Sequence, residues 1–265
     1  MRPSRFHVAS ALLVAGISGA VHAGPVQLRV TVQSMVPQTS VAFAPLRFGV
    51  GNGTFDAFSE NQGVFLFGQS SAATAPIARI AEAGSGANWF PAFTSVDPNA
   101  ALGSVGASPL LPGQTASTIV EVDPSIHRYF TFATMVVPSN DQFIGNDDPM
   151  EYKLFDANGK LKLTSISQFG NSVWDAGTET TDAANAAFLQ GSNAAGRIDE
   201  NGVVTRGLAN INAFNGLTTA AGYTFDRAFA GGDEIYRISF EIVPAPSTTA
   251  MLGLCGLVMG RRRRA

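Results

Sequence analysis

Residues 128–137 read R-Y-F-T-F-A-T-M-V-V, and this stretch decides the fold class. Apolar and β-branched residues occupy both alternating positions, which is typical of a strand buried on both faces at the centre of a sheet. Residues 26–33 and 236–242 instead alternate apolar with polar side chains. That period of two predicts half-buried strands that open and close one domain.

The remaining patterns favour strands over helices. Further strands are predicted at residues 41–50, 64–67, 117–122, 152–155 and 160–166. The last two flank Asp156-Ala157-Asn158-Gly159, a hairpin turn signal. Helical signals are confined to residues 75–83 and 182–190, and residues 191–219 have the composition of a long loop. The sequence therefore predicts an all-β fold, an antiparallel two-sheet β-sandwich with one or two short helices.

The first 23 residues have the layout of a secretory signal peptide. Arg2 and Arg5 precede an apolar stretch, and Val21-His22-Ala23 supplies the small-residue cleavage pattern. We predict cleavage after Ala23. The apolar stretch is too short to favour the alternative, a permanent membrane anchor.

Residues 244–265 form a second terminal segment with its own pattern. Pro244-Ala245-Pro246 is followed by a short apolar run predicted to form a hydrophobic helix. The chain closes with Arg261, Arg262, Arg263 and Arg264, which favour the cytoplasmic side of a membrane. This segment resembles the PEP-CTERM sorting signal of Gram-negative bacteria that make exopolysaccharide. The resemblance implies transient membrane association and removal by an exosortase-type enzyme. Alanine stands where the family has glutamate, and residues 250–260 fall short of the roughly 20 residues of a spanning helix.

Removing both terminal segments leaves an acidic domain at residues 24–243. Six of the 17 basic residues lie in the segments and all 20 acidic residues lie between them, so the body has 11 basic and 20 acidic groups, a net charge of −9. Such a body disfavours nucleic acid as a partner, which needs clustered Lys and Arg. The single cysteine, Cys255, lies in the tail, so the mature body has no disulfide.

Acidic residues concentrate in one part of this domain. Eight of the 20 acids fall within residues 141–182: Asp141, Asp147, Asp148, Glu151, Asp156, Asp175, Glu179 and Asp182. Carboxylates in irregular loops suit Ca²⁺, which accepts six to eight oxygen ligands. Gly177 permits a bend that brings Asp175 and Glu179 together. A solvated acidic rim that binds no ion is the alternative interpretation.

The same loops carry a resemblance to a known family. The central strand running into V-P-S-N-D-Q-F-I-G, followed by V-W-D-A-G-T-E, resembles the spondin N-terminal domain, and A-R-I-A-E-A-G is similar to a helix of its bacterial members. The resemblance covers about residues 27–242 and implies a β-sandwich of matrix and adhesion proteins with Ca²⁺ bound at one end. By position it implies Asp141 and Asp175 as ligands, then Glu179, with Asp147 or Asp148 as additions. Cysteines and a tryptophan of animal members are missing, so their receptor binding is not carried over.

Other chemistries have little support. One histidine, His127, remains in the mature body, which disfavours zinc sites and a serine triad. Three functions stay open: an exported, non-enzymatic calcium-stabilised adhesion module, a structural matrix protein that binds no specific ion, and a carbohydrate-active enzyme. The expected location is the periplasm, outer surface or extracellular matrix of a Gram-negative bacterium. The matrix ligand, polysaccharide or protein, is not specified by any residue pattern.

Overall fold

The computed structural model describes residues 24–64 and 75–244 of the chain, and within them strands dominate. In chain order the elements are β1 (Val26–Ser34), β2 (Ala42–Phe43), β3 (Leu46–Gly51), α1 (Pro76–Ala83), α2 (Trp89–Val96), β4 (Ala101–Val105), β5 (Thr115–Val122), β6 (Tyr129–Val137), β7 (Gln142–Gly145), β8 (Ser165–Phe169), β9 (Trp174–Asp175), β10 (Thr205–Arg206) and β11 (Glu234–Val243). The predicted cleavage point Ala23, Pro246 and the arginines Arg261, Arg262, Arg263 and Arg264 lie outside the described residues. Pro244 directly follows β11 and is exposed.

The strands form two antiparallel sheets. The smaller sheet has the order β5-β1-β11-β8, so the strands that open and close the domain are neighbours at its centre. The larger sheet has the order β10-β9-β7-β6-β3-β4, and β2 also pairs with β6. The prediction that residues 128–137 form a central strand is confirmed, because eight of the nine residues of β6 are buried.

The main core lies between the two sheets, as expected for a β-sandwich. Leu28 and Val30 of β1 and Phe240 of β11 belong to the same buried cluster as Phe130 and Phe132 of β6. The rings of Phe130 and Phe240 meet edge to face at 4.8 Å between centroids. Period-two alternation produces this packing because one face of each strand in the smaller sheet points inward.

A helical layer covers the outer face of the larger sheet and forms a second core. Trp89 and Phe93 of α2 pack with Phe55, at 5.0 and 4.2 Å between ring centroids. Ala133 of β6 and Phe143 of β7 belong to the same cluster. This layer explains why β6 is apolar on both faces. The sequence predicted α1 but not α2, whose N-terminus lacks a side-chain cap.

Several element predictions need correction. Residues 182–190 are not helical, because their backbone groups bond to other segments: Ala187 N–H donates to Ser139 O at 2.8 Å. Residues 41–50 form two strands rather than one. The segment 191–219, predicted as loop, contributes Ile211 and Phe214 to the main core through a 3-10 helix at Leu208–Phe214. The Asp156 turn does form, with Asp156 N–H donating to Lys160 O at 3.0 Å.

Candidate functional site

The turn between β6 and β7 places four consecutive polar residues in the interior. Ser139, Asn140, Asp141 and Gln142 each expose 2% or less of their surface. The Ser139 hydroxyl closes the turn by donating to Val136 O at 2.5 Å and accepting from Gln142 N–H at 3.1 Å. These two hydrogen bonds hold the backbone of the turn in place between β6 and β7.

The Asp141 carboxylate ties this turn to the loop that follows β9. Its Oδ2 accepts hydrogen bonds from Thr178 N–H at 2.7 Å, Glu179 N–H at 3.0 Å and the Thr178 hydroxyl at 3.2 Å. Ala176 N–H also donates to the Asp141 carbonyl at 3.1 Å. The tertiary structure therefore brings the N-D-Q and W-D-A-G-T-E motifs into direct contact.

Asp175 lies beside this turn at the end of β9. It is the cross-strand partner of Gln142. Its Oδ1 accepts Gly177 N–H at 2.8 Å and its Oδ2 accepts the Asn210 side-chain amide at 2.6 Å. Gly177 has φ of +65°, and a Cβ there would lie 2.7 Å from the backbone N and O of Val203. The predicted tight bend at Gly177 is thus present, and it requires glycine.

The two carboxylates interact electrostatically. Burial raises the pKa of Asp141 to about 7, and the negative charge of Asp175 adds to the rise, while the hydrogen bonds from Thr178 and Glu179 oppose it. Ionising Asp141 near neutral pH therefore places a second negative charge in a buried region. A bound cation is one means of stabilising such a pair.

Glu179 contributes its backbone to Asp141 but pairs its side chain elsewhere. Its carboxylate meets Arg197 Nη1 at 3.2 Å, and the same nitrogen donates to Glu82 O at 2.8 Å. Burial raises the pKa of Glu179 to about 7 despite Arg197, and the negative charge of Glu82 adds to the rise. These residues line a cleft of about 530 Å³ together with Phe188.

Asp147 lies in a different group of carboxylates. Burial raises its pKa, the charges of Glu60 and Asp148 add to the rise, and Arg206 opposes it. Asp147 in turn raises the pKa of Asp56. The structure thus associates Asp141 with Asp175, and Asp147 with Glu60 and Asp148.

Two neutral side chains that sequence reasoning missed complete the surroundings of Asp175. Gln142 donates from Nε2 to Gly207 O at 2.8 Å, and its buried Oε1 has no hydrogen-bond partner among the described residues. Gly207 lies directly against Asp175, since a Cβ at Gly207 would be 2.7 Å from the Asp175 Cβ. Asn210 comes from the segment predicted as loop. In the sequence, only the position of Gln142 directly after Asp141 indicated that either side chain would lie near this site.

The donor chemistry fits a hard cation in part. Within the described ranges, no three His, Cys, Asp or Glu side chains are grouped so as to hold a metal ion. Asp141 and Asp175 supply two carboxylates, and the unpartnered Gln142 Oε1 is a neutral oxygen of the type that Ca²⁺ accepts. Backbone carbonyls and water would have to supply the remaining ligands.

Trp174 packs beneath the loop that carries Asp175 and anchors this end of the sheet. It is 3% exposed, packs edge to face on Phe58 at 5.1 Å and donates from Nε1 to Gly145 O at 3.2 Å. The Arg206 guanidinium covers its ring at 3.5 Å. Trp174 therefore holds β9, and with it Asp175, in place.

No family model matches the sequence, and no curated protein matches it significantly. Among residues 24–64 and 75–244, no helix has the length and apolar character needed to cross a membrane.

Proposed function

We propose that this protein is an exported, non-enzymatic binding or adhesion module of a bacterial cell surface or extracellular matrix, with loops stabilised by Ca²⁺ at Asp141 and Asp175. The resemblance of the N-D-Q-F and W-D-A-G-T-E motifs to the spondin N-terminal domain supports the adhesion role. The antiparallel two-sheet sandwich is the framework that this family would require.

One observation carries the calcium part of the proposal. Asp141 is 1% exposed, and its pKa is raised to about 7 by burial first and by Asp175 second. Ca²⁺ between the loops would favour the ionised form of Asp141 and offset its repulsion by the charge of Asp175. Gln142 Oε1 would supply a neutral ligand without losing an existing hydrogen bond.

The terminal segments support the export part. Residues 1–23 would direct secretion across the inner membrane, and residues 244–265 would be recognised by an exosortase-type enzyme after brief association with the membrane. The four arginines Arg261, Arg262, Arg263 and Arg264 would hold the tail on the cytoplasmic side until processing.

Thermal unfolding of the full-length chain in excess chelator and in millimolar Ca²⁺ tests the calcium site. At one hundred times its dissociation constant, a ligand specific to the native state stabilises by about 2.7 kcal/mol. For a domain of this size that corresponds to a rise in Tm of roughly 5–10 °C. Asp175→Asn should abolish the rise while keeping the side-chain shape. Glu241→Gln, at an exposed position on the other sheet, should retain it.

Equal melting temperatures with chelator and with Ca²⁺ would contradict the calcium site and favour a structural matrix protein that binds no specific ion. A rise that persists in Asp175→Asn would place the ion elsewhere. Hydrolysis of a polysaccharide panel by the wild-type chain would instead favour a carbohydrate-active enzyme.

A further inference from the structure

A second cleft lies at the opposite end of the larger sheet from Asp141. It has a volume of about 440 Å³ and lies where β6 begins and β3 ends. Because β6 has nine residues, this cleft is roughly 30 Å from the Asp141 turn at about 3.3 Å per residue. The volume falls in the range of about 300–1,000 Å³ that small-molecule sites occupy.

The cleft combines polar side chains with apolar surface. Asn52, Asn99 and Arg128 supply amide and guanidinium groups, while Tyr129 and Met150 supply apolar surface. Met150 is 56% exposed, so its apolar surface is open to a ligand. A ligand with hydroxyl groups on its edge and C–H groups on its faces would match both kinds of surface.

Several polar groups of the cleft are available to a ligand. Among the described residues, the Asn99 side chain, the Tyr129 hydroxyl, the Asn52 amide nitrogen and the terminal nitrogens of Arg128 form no hydrogen bond with the protein. Arg128 uses only Nε, which donates to Ser125 O at 3.2 Å and fixes the guanidinium. An apolar ligand would leave these groups unpaired, at an energetic cost.

The backbone around the cleft is held in place before any ligand binds. Asp97 is buried and accepts Asn52 N–H at 2.8 Å and Asn99 N–H at 3.3 Å. His127 joins the facing loop, since its Nδ1 accepts Asp123 N–H at 2.8 Å and its Nε2 lies 2.5 Å from Asn99 O. A fixed framework reduces the ordering cost of binding.

Gly53 allows the two apolar side chains to approach one another. It has φ of +86°, and a Cβ there would lie 2.8 Å from both Met150 Cγ and Tyr129 Cδ2. Any other residue would be strained at this φ and would displace one of these side chains. Gly53 therefore lets Met150 and Tyr129 both pack against the backbone at this position.

The charges of the cleft favour an uncharged ligand. Arg128 disfavours a cation, and the net charge of −9 over the mature body disfavours a polyanion. Asp97 is occupied by two backbone N–H groups. We propose that this cleft binds an uncharged saccharide unit through Asn52, Asn99 and Arg128, with the ring faces against Tyr129 and Met150. The proposal names a ligand class for the proposed binding function and rests on that function, but it does not depend on calcium.

Titration calorimetry of the full-length chain tests the site, with uncharged mono- and disaccharides of glucose, galactose, mannose and N-acetylglucosamine as probes. We expect at least one probe to bind, and Arg128→Gln and Asn99→Ala each to weaken binding at least tenfold. Both positions are exposed, so the Tm of the variants should be unchanged. Arg29→Gln is the matched control, because Arg29 pairs with Glu241 on the other sheet.

Three outcomes would overturn the proposal: no binding by any probe, an equal loss of binding in Arg29→Gln, or binding of glucuronate at least tenfold tighter than its uncharged counterpart. Saccharide binding should be the same in chelator, in Ca²⁺ and in Asp175→Asn. The saccharide proposal and the calcium proposal can therefore be contradicted independently of one another.

Discussion

The Asp141 carboxylate accepts the backbone N–H of Thr178 at 2.7 Å, across 37 residues of chain. This contact joins the turn that follows the central strand to the loop that follows β9. It holds Asp141 in a buried position where burial and the charge of Asp175 both disfavour ionisation. We therefore expect the stability of the contact between these two loops to depend on pH and on bound cations.

Without calcium, stability should fall as pH rises from about 5 to 8. The pKa of Asp141 in the folded state is about 7, against about 3.9 for an unperturbed aspartate, so the native state holds a proton that the unfolded chain has released. The fall in the free energy of unfolding begins above the pKa of Asp141 in the unfolded chain. It is complete above the pKa of Asp141 in the folded state. Asp141→Asn should reduce the slope by up to about 1.4 kcal/mol per pH unit. Urea unfolding in chelator between pH 5 and 8 measures it, and an unchanged slope in the variant would contradict the assignment.

Gly177→Ala should destabilise the domain strongly. A Cβ at this position would meet the Val203 backbone at 2.7 Å, in addition to the strain at φ of +65°. We expect a loss above the roughly 1–2 kcal/mol that left-handed backbone strain alone costs. Gly191→Ala is the matched control, since Gly191 has φ of +76° but open space around it. Equal losses of unfolding free energy in the two variants would show that the Val203 contact relaxes.

Arg197→Met should be costly at pH 8 and less so at pH 5. The side chains of Arg197 and Glu179 are 11% and 10% exposed, and removing one partner of a buried pair typically costs about 3–5 kcal/mol. At pH 5 Glu179 is protonated, because its pKa is about 7 even beside Arg197. Chemical denaturation at both pH values measures the difference.

The exposed pair of Arg29 and Glu241 provides the comparison for that experiment. Its side chains are 39% and 64% exposed, so Arg29→Met should cost less than about 1 kcal/mol at either pH. The interpretation of Glu179 as a buried charge would be wrong if Arg197→Met cost as little as Arg29→Met.

Phe93→Ala should show that the helical layer is part of the cooperative fold. Phe93 is 2% exposed and stacks on Phe55 at 4.2 Å, and a Cβ at Gly49 would overlap its ring. Truncating such a ring typically costs about 3–5 kcal/mol. Phe90→Ala on the same helix removes a half-buried ring and should cost less than half as much, as measured by urea unfolding. A smaller loss for Phe93→Ala than for Phe90→Ala would contradict this packing.

The strands could be predicted wherever a single local pattern of apolar residues identified them. Period-two alternation identified β1 and β11, and an unbroken apolar run identified β6. The prediction of a helix at residues 182–190 was wrong. The Ala-rich composition favours a helix, but the backbone N–H groups of this segment donate instead to Ser139 O and Thr218 O, which lie far away in sequence. The second helix was missed because it has only eight residues and Pro91 lies in its first turn, although Asn88 at its N-cap is a favoured capping residue.

The sequence by itself determined the strand-rich class, the acidic body and the two motifs around Asp141 and Asp175, because composition and alternation are local properties of the chain. Only the tertiary structure decided which charges meet. It paired Glu179 with Arg197, associated Asp147 with Glu60, and set Gln142 beside Asp175. The physical reason is that burial and through-space distance fix the pKa of a carboxylate and its partners, and neither is encoded by spacing along the chain.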